Sequence, residues 1–342
     1  MRRHLRIRSL AAVLVAGTIG FGWLSSARAE VRTITASGEY RMGDNDTRTD
    51  AKRLALLDAK RLALEQVGTY LEGVSEVKNL QVTKDEIRTY TAGIVEVTEQ
   101  ATRDVMEGVT HIVRVDVTCK IDRAVLARQI EDLRKNEHAK EELQQARAEA
   151  DKLKQEVDAK NKELAALKSK TGAEPLLKER EQALAKLDAQ DLVVRASRPV
   201  TARGGFVEGD PLPAQDRANM KAMLLQAVAL DPSNVRAHMG LGHLLQEEGD
   251  PNGAVREFRE ALRYKPDLPR AHAGLGRALI ASGRKDDGIR ELRLFLQTVQ
   301  PTPANQRTIE RVQRRLRELE RQDDRRPPPR RPPPRPRRDL DR

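Results

Sequence analysis

Two stretches of the chain, Val235–Leu245 (VRAHMGLGHLL) and Pro269–Leu279 (PRAHAGLGRAL), share the pattern Arg-Ala-His-x-Gly-Leu-Gly and begin 34 residues apart. A period of this length, with apolar and small residues at fixed offsets, predicts a repeated helix–turn–helix unit. The glycines in the pattern have a packing reason, because two helices must approach closely where they lie. The C-terminal third is therefore expected to be an array of helical hairpins.

The spacing is that of tetratricopeptide repeats, and most framework positions of that repeat are occupied. Those of the first unit are Leu241, Gly242, Leu245, Ala254, Phe258, Ala261 and Pro266, and those of the second are Leu275, Gly276, Leu279, Gly288, Leu292 and Phe295. One period earlier, Leu224, Ala227 and Pro232 predict a partial unit. Its first helix would fall on a stretch rich in glycine and proline, so we expect it to be degenerate. Residues 201–321 should thus hold two clear repeats, a partial one and a closing helix over 308–319.

The first helix of each hairpin lines the inner groove of such arrays, so this face is the candidate binding site. Its residues are Arg236, Met239, His243, Gln246, Arg270, Arg277 and Ile280. Several arginines close together suit carboxylates on a protein or peptide partner, and the alternative is a solvated helix face. His238 and His272 invite a metal interpretation, but their framework position predicts core packing. We predict no metal or cofactor.

Residues 30–122 predict a small α+β domain. Val31–Met42 has the composition of a strand, and alternating apolar residues from Val113 to Ile121 predict a half-buried strand paired in a hairpin. A helical period from Thr47 to Leu71 predicts a helix lined with alanines. Thr83 and Glu86 have the spacing of a capping box, which predicts a short helix to about residue 91. Cys119 is expected to be a buried, inert thiol.

The stretches Ala36–Tyr40 (ASGEY), Met42–Thr47 (MGDNDT) and Gly68–Glu72 (GTYLE), with the alanine-rich helix between the last two, carry a resemblance. They make the domain similar to the N-terminal domain of the flagellar assembly T-protein family and of related LPP20-like surface lipoproteins. The resemblance implies a structural or assembly role in the bacterial envelope and no known catalytic residues.

Residues 123–192 form a charged segment that predicts a helical arm. Its apolar residues at heptad spacing are Leu143, Ala146, Ala150, Leu153, Val157, Leu164 and Leu167. This spacing is typical of a coiled coil, through which the chain could self-associate. The alternative is a single solvated helix held by charge pairs four residues apart. Multidomain architecture, mainly α-helical, is the fold class that follows.

The first 29 residues read as a secretory signal peptide, with a basic start, an apolar run over 10–24 and small residues before a cleavage site after Ala29. The mature protein is therefore expected to be exported, to the periplasm or the cell envelope.

Residues 322–342 predict a disordered tail, because 325–338 consists of arginine and proline alone. The arginines of 325–338 are Arg325, Arg326, Arg330, Arg331, Arg335, Arg337 and Arg338. Such a segment suits a polyanion, either anionic lipid or an acidic cell-surface polymer. The charge of the chain, +11, is concentrated in this tail and the signal segment. The nearly neutral body between them argues against nucleic-acid binding.

No catalytic constellation stands out, and Asp44 and Asp46 are the only candidates for a hydrolase site. Helix capping explains them better than catalysis or calcium binding, because the loop lacks the other ligands of a calcium site. We therefore expect a non-enzymatic scaffold or assembly protein that binds partner proteins through its repeats. The alternative is a protein anchored to the envelope by its tail.

Overall fold

The computed structural model describes residues 31–135, 137–167, 172–202, 212–302 and 305–324. The predicted signal peptide and the seven tail arginines lie outside these residues. Within them, no helix combines the length and the apolar character needed to span a bilayer. The architecture is mainly helical with one small sheet, as the sequence predicts.

The N-terminal domain has the predicted α+β order. Its elements are β1 (Val31–Arg41), α1 (Arg48–Gly73), α2 (Ser75–Lys78), α3 (Lys84–Ile94), β2 (Val97–Glu107) and β3 (Thr110–Asp122). The strands form an antiparallel sheet in the order β1-β3-β2. The β2–β3 turn contains Gly108 with a φ of 62°, which glycine adopts without strain. The hairpin, the long helix and the alternation of β3 are all as predicted.

Helix α1 lies directly on the sheet because small residues face each other across the contact. Ala51, Ala55, Ala59 and Ala63 are fully buried along one side of the helix. Opposite them on β1, a Cβ atom added to Gly38 would lie 2.2 Å from the carbonyl oxygen of Ala55 and from the amide nitrogen of Ala59. This leaves no room for a side chain, so the alanine stripe and one glycine set the helix–sheet distance.

Helix α3 begins with the predicted capping box, in which Thr83 and Glu86 each accept a backbone hydrogen bond from the other. It continues to Ile94, three residues beyond the predicted end. The added turn contains Gly93, which lies against Leu143 of the charged segment: a Cβ atom on Gly93 would be 2.6 Å from a methyl group of Leu143. Glycine at this position therefore lets that segment pack against the end of α3.

The charged segment contains α4 (Arg123–Lys135), α5 (Glu137–Ala166) and the start of α6 (Ala173–Ala202). Helices α5 and α6 form an antiparallel hairpin within the chain, marked by Lys160 beside Glu179 at 2.8 Å and by Gln190 beside Glu149 at 2.7 Å. This differs from both interpretations of the sequence, a dimeric coiled coil and a single solvated helix.

The predicted heptad residues of α5 are covered inside the chain. Val157 packs with Leu184 and Leu187 of α6 and with Leu54 of α1, while Leu143 packs against the core of the N-terminal domain. A heptad pattern requires an apolar partner but does not specify which one. Here α6 and the N-terminal domain fill that role, so the segment belongs to the body of the molecule.

The remaining helices form the repeats. They are α7 (Ala214–Leu230), α8 (Val235–Glu247), α9 (Pro251–Tyr264), α10 (Pro269–Ala281), α11 (Lys285–Thr298) and α12 (Gln306–Asp324). Helices α8–α9 and α10–α11 are the two clear hairpins. The ring of Phe258 lies between Gly242 and Gly274, where an added Cβ would come within 2.8 and 2.6 Å of it. Helix α12 closes the array and is longer than the predicted closing helix.

The partial repeat differs from the prediction in its first helix. The helix that pairs with α7 is the C-terminal half of α6, upstream of the glycine- and proline-rich stretch. Ala189, Leu192, Val193 and Ala196 recur at helical spacing and share one core with Leu224 and its neighbours on α7. Helix α6 is therefore both the second half of the α5–α6 hairpin and the first helix of the repeats.

Candidate partner-binding face of the repeats

The seven predicted groove residues lie on α8 and α10, but two of them pack against the apolar cores between helices. Met239 is only 9% exposed and packs among Phe258, Ala271 and other core residues of the two hairpins. Ile280 is half-buried against the core formed by α11 and α12. These positions face neighbouring helices because each first helix in a short array is flanked on both sides.

Two further predicted residues link the helices to one another. The side-chain amide of Gln246 donates a hydrogen bond of 3.3 Å to the carbonyl oxygen of Gly274, joining α8 to α10. The His243 ring lies edge-on to Phe258, with 5.1 Å between the ring centroids. The remaining three predicted residues are the arginines, which form the charged part of this face.

Two of these arginines hold carboxylates of α5. The guanidinium of Arg236 lies 3.0 Å from Glu149, and that of Arg270 lies 2.8 Å from Glu142. Glu149 also accepts a hydrogen bond of 2.7 Å from Gln190 on α6. Both arginines are thus paired within the chain, and their binding to carboxylates of a partner stays a prediction. Sequence reasoning missed the two glutamates, since a glutamate on a charged heptad helix has the appearance of a solvated residue.

The paired histidines are core residues, as predicted, and each is held between two acceptors. The Nδ1 atom of His238 lies 2.8 Å from Glu257 and its Nε2 atom lies 3.0 Å from the carbonyl oxygen of Pro232. One repeat later His272 makes the same two contacts, at 2.7 and 2.8 Å. The partner of His272 is Glu291, which lies 34 residues after Glu257. The repeat spacing could therefore have identified both glutamates in the sequence.

An imidazole between two acceptors is favoured in its doubly protonated form. Burial alone would lower the pKa of His238, but its hydrogen bonds to Glu257 and to Pro232 outweigh this and raise the pKa above 6.5. In the part of the chain that the structure describes, no three His, Cys, Asp or Glu side chains are grouped as a metal site would require. These pairs therefore tie the two helices of each hairpin together.

The loop carboxylate Asp46, a candidate for catalysis in the sequence, is part of a buried junction with α6. Arg180 is 1% exposed and binds Asp46, Asp50 at 3.1 Å and Asn161 at 3.2 Å. The Tyr40 hydroxyl donates a hydrogen bond of 3.1 Å to Asp46, and burial together with this carboxylate raises the pKa of Tyr40. The N-cap of α1 is Thr47, so the prediction that Asp46 caps this helix is wrong, and Asp46 instead anchors α6 to the N-terminal domain.

More ion pairs continue this junction along α6. Asp188 lies 2.6 Å from Arg53, and Asp191 lies 3.0 Å from Lys60, both on α1. Further along, Arg198 donates hydrogen bonds to backbone carbonyl oxygens at the end of α3. Helix α6 therefore holds the N-terminal domain both by these ion pairs and by the apolar cluster that Leu184 and Leu187 share with Leu54.

Cys119 is fully buried on the inner face of β3, opposite Ile34 in the strand register. Burial raises the pKa of the Cys119 thiol, so the reactive thiolate form is disfavoured. The prediction of a buried thiol is confirmed.

Comparison with known proteins identifies the repeats. Residues 245–304 match the family model of the tetratricopeptide repeat. This match covers the end of α8 and the helices α9 to α11. Among curated proteins, none matches the chain.

Solved structures align with part of the chain at low sequence identity and low TM-score. The type III secretion translocator chaperone SycD of Yersinia enterocolitica aligns with a TM-score of 0.34 and 16% identity, covering 40% of this chain and 94% of SycD. SycD in complex with a peptide of the translocator YopD aligns at 0.31 and 17%, covering 32% and 84%. The MamA protein aligns at 0.28 and 18%, covering 39% and 70%. The family match alone identifies tetratricopeptide repeats in the C-terminal part of the chain.

Proposed function

We propose that the chain is an exported scaffold protein that binds a partner protein at the first-helix face of its repeats and holds it beside its N-terminal domain. The observation that carries this proposal is the pair Arg236 and Arg270. They occupy equivalent positions of two consecutive repeats, and each already holds a carboxylate. A face built to bind acidic side chains at the repeat spacing suits a protein or peptide partner.

The position of α6 supports the bridging part of this role. Its buried Arg180 is anchored in the N-terminal domain, and Leu192 lies in the core of the first hairpin. A partner on the repeats is thereby held at a defined place relative to the N-terminal domain. The resemblance of that domain to envelope assembly proteins agrees with such a role.

Affinity capture with matched variants tests the binding face. The mature full chain is used to capture proteins from an envelope extract, alongside Arg236→Gln/Arg270→Gln. The control is Arg256→Gln/Arg259→Gln, which removes the same charge from exposed positions of α9, a second helix. We expect a protein captured by the wild type and the control to be lost from the groove variant. Capture that the groove variant retains in full, or no specific capture by the wild type, would overturn the proposal.

Export is part of the proposal and is supported by the three-part pattern of residues 1–29. Intact-mass analysis of the protein purified from the periplasmic or envelope fraction tests it. We expect a chain that begins at Glu30. A full-length chain in the cytoplasmic fraction would contradict it.

The tail supports a second candidate function, envelope anchoring. It places seven arginines within residues 325–338, without an acidic residue among them. We expect salt-sensitive binding to vesicles that contain anionic lipid, and loss of this binding on truncation after Asp324. Equal binding by the truncated chain would rule out the tail as the anchor.

A further inference from the structure

Two glutamates of α5 and two arginines of the repeats are spaced so that both ion pairs form at once. Glu142 and Glu149 are one heptad apart, and Arg236 and Arg270 are one repeat apart. Seven residues of helix rise by about 10.5 Å, so two carboxylates at this separation meet two arginines on neighbouring first helices. The order is reversed, since the earlier arginine pairs with the later glutamate. Helix α5 therefore runs from α10 towards α8, opposite to the order of the repeats.

The contacts described between α5 and the repeats are polar. Of its apolar residues, Leu143 packs against the core of the N-terminal domain and Val157 packs with α6 and α1. Within the described residues, the apolar clusters of the repeats contain no side chain of α5. The position of α5 is thus set by its other side, and its contact with the binding face consists of exchangeable ion pairs.

We propose that Glu142 and Glu149 occupy the carboxylate positions of the binding face in cis, and that the partner is a helical segment with two carboxylates seven residues apart that exchanges with them. This inference rests on the proposed function, because it concerns the same face. It adds to the proposed function the chemistry of the partner, and it identifies Glu142 and Glu149 as intramolecular competitors for the arginines.

The exchange costs little because no charge is left unpaired in a buried site. In each pair the arginine releases one carboxylate and binds another, while the released glutamate becomes solvated. Glu142 and Glu149 are about half exposed, and Arg236 and Arg270 are 19% and 41% exposed. Ion pairs with this exposure are weak, and a pair of them lowers the affinity for a competing ligand by about five-fold.

A peptide with the sequence of α5 provides the probe. A fluorescent synthetic peptide of residues 139–155 is titrated, up to millimolar concentrations of protein, with the mature full chain and its variants. Glu142→Gln/Glu149→Gln removes the competitor, and Arg236→Gln/Arg270→Gln removes the receptor. Glu141→Gln/Asp158→Asn is the control, because it makes the same charge change on exposed positions of α5.

We expect the chain without the competitor to bind the probe about five-fold more tightly than the wild type and the control, and the chain without the receptor to lose binding. A probe in which the same two glutamates are replaced by glutamine should also fail to bind. No binding to any chain would overturn the inference, as would binding that survives the receptor substitutions.

One further outcome separates the inference from the proposed function. If the wild type and the chain without the competitor bind the probe equally, and the receptor substitutions still abolish binding, then the competition in cis is refuted. The binding face itself would stand in that case. If the probe behaves as expected but the capture experiment yields no partner lost from the groove variant, the scaffold role fails and the cis contact stands.

Discussion

Replacing Gly38 by alanine should push α1 away from the sheet and destabilise the N-terminal domain. The new Cβ atom would lie 2.2 Å from two backbone atoms of α1, whereas ordinary contacts begin at 3.4 Å. Helix and sheet must therefore separate by roughly 1.2 Å along a stripe of fully buried alanines. Overpacking costs typically about 1–3 kcal/mol, and we expect the upper end because backbone atoms cannot rotate away as a side chain can. Gly73→Ala is the matched control, since nothing lies within 4 Å of a Cβ there.

The chain's one cysteine, Cys119, reports on this contact from the buried face of the same sheet. The rate of labelling by a thiol reagent measures how often the sheet becomes accessible. A loss of about 3 kcal/mol corresponds to labelling roughly 100-fold faster. Gly73→Ala should label at the wild-type rate or slightly more slowly. If Gly38→Ala labels within about two-fold of the wild type, the close approach of helix and sheet is refuted.

Three more substitutions test other contacts. The raised pKa of His238 implies that its ion pair stabilises the repeats fully below pH 6.5 and loses this effect as the pH rises through the raised value. Melting temperatures of His238→Gln should therefore depend less on pH above 6.5 than those of the wild type, and equal dependence would contradict this. The pKa of Glu86 is lowered to about 2, first by its hydrogen bond with Lys140, so its contribution is present above pH 4.5 and lost as the pH falls to about 2. Glu86→Gln should reduce stability at neutral pH by about 1 kcal/mol and have little effect near pH 2, as measured by urea denaturation. Arg180→Met should cost about 3–5 kcal/mol, because it leaves Asp46 and a second carboxylate uncompensated in a buried site, and an unchanged urea midpoint would refute that role.

The parts of the fold that repeat or alternate could be predicted from the sequence. The recurrence of Arg-Ala-His-x-Gly-Leu-Gly predicted α8 and α10, because each copy supports the other. The alternation of β3 and the capping box of α3 were equally direct, since each is a local pattern with a single structural meaning. Local consistency of this kind does not depend on what the element packs against.

The tertiary partners could not be predicted in the same way. The heptads of α5 require an apolar partner, and the pattern is the same whether that partner is a second chain or α6. Arg180 could not be singled out among many arginines, because its burial depends on Asp46, more than a hundred residues earlier. The first helix of the first hairpin was missed since it lacks the shared repeat pattern. The candidate groove residues lie on α8 and α10, whereas the two glutamates of α5 that contact their arginines were not predicted.

Helix α6 has a consequence for how the protein folds and comes apart. At about 45 Å for 30 residues, it is a single rod whose two ends belong to different cores. A fragment that begins at residue 201 would leave behind Leu192 and its neighbours, exposing the apolar side of α7. The N-terminal domain and the repeats are therefore not independent folding units. They share α6, and we expect the unfolding of one to destabilise the other.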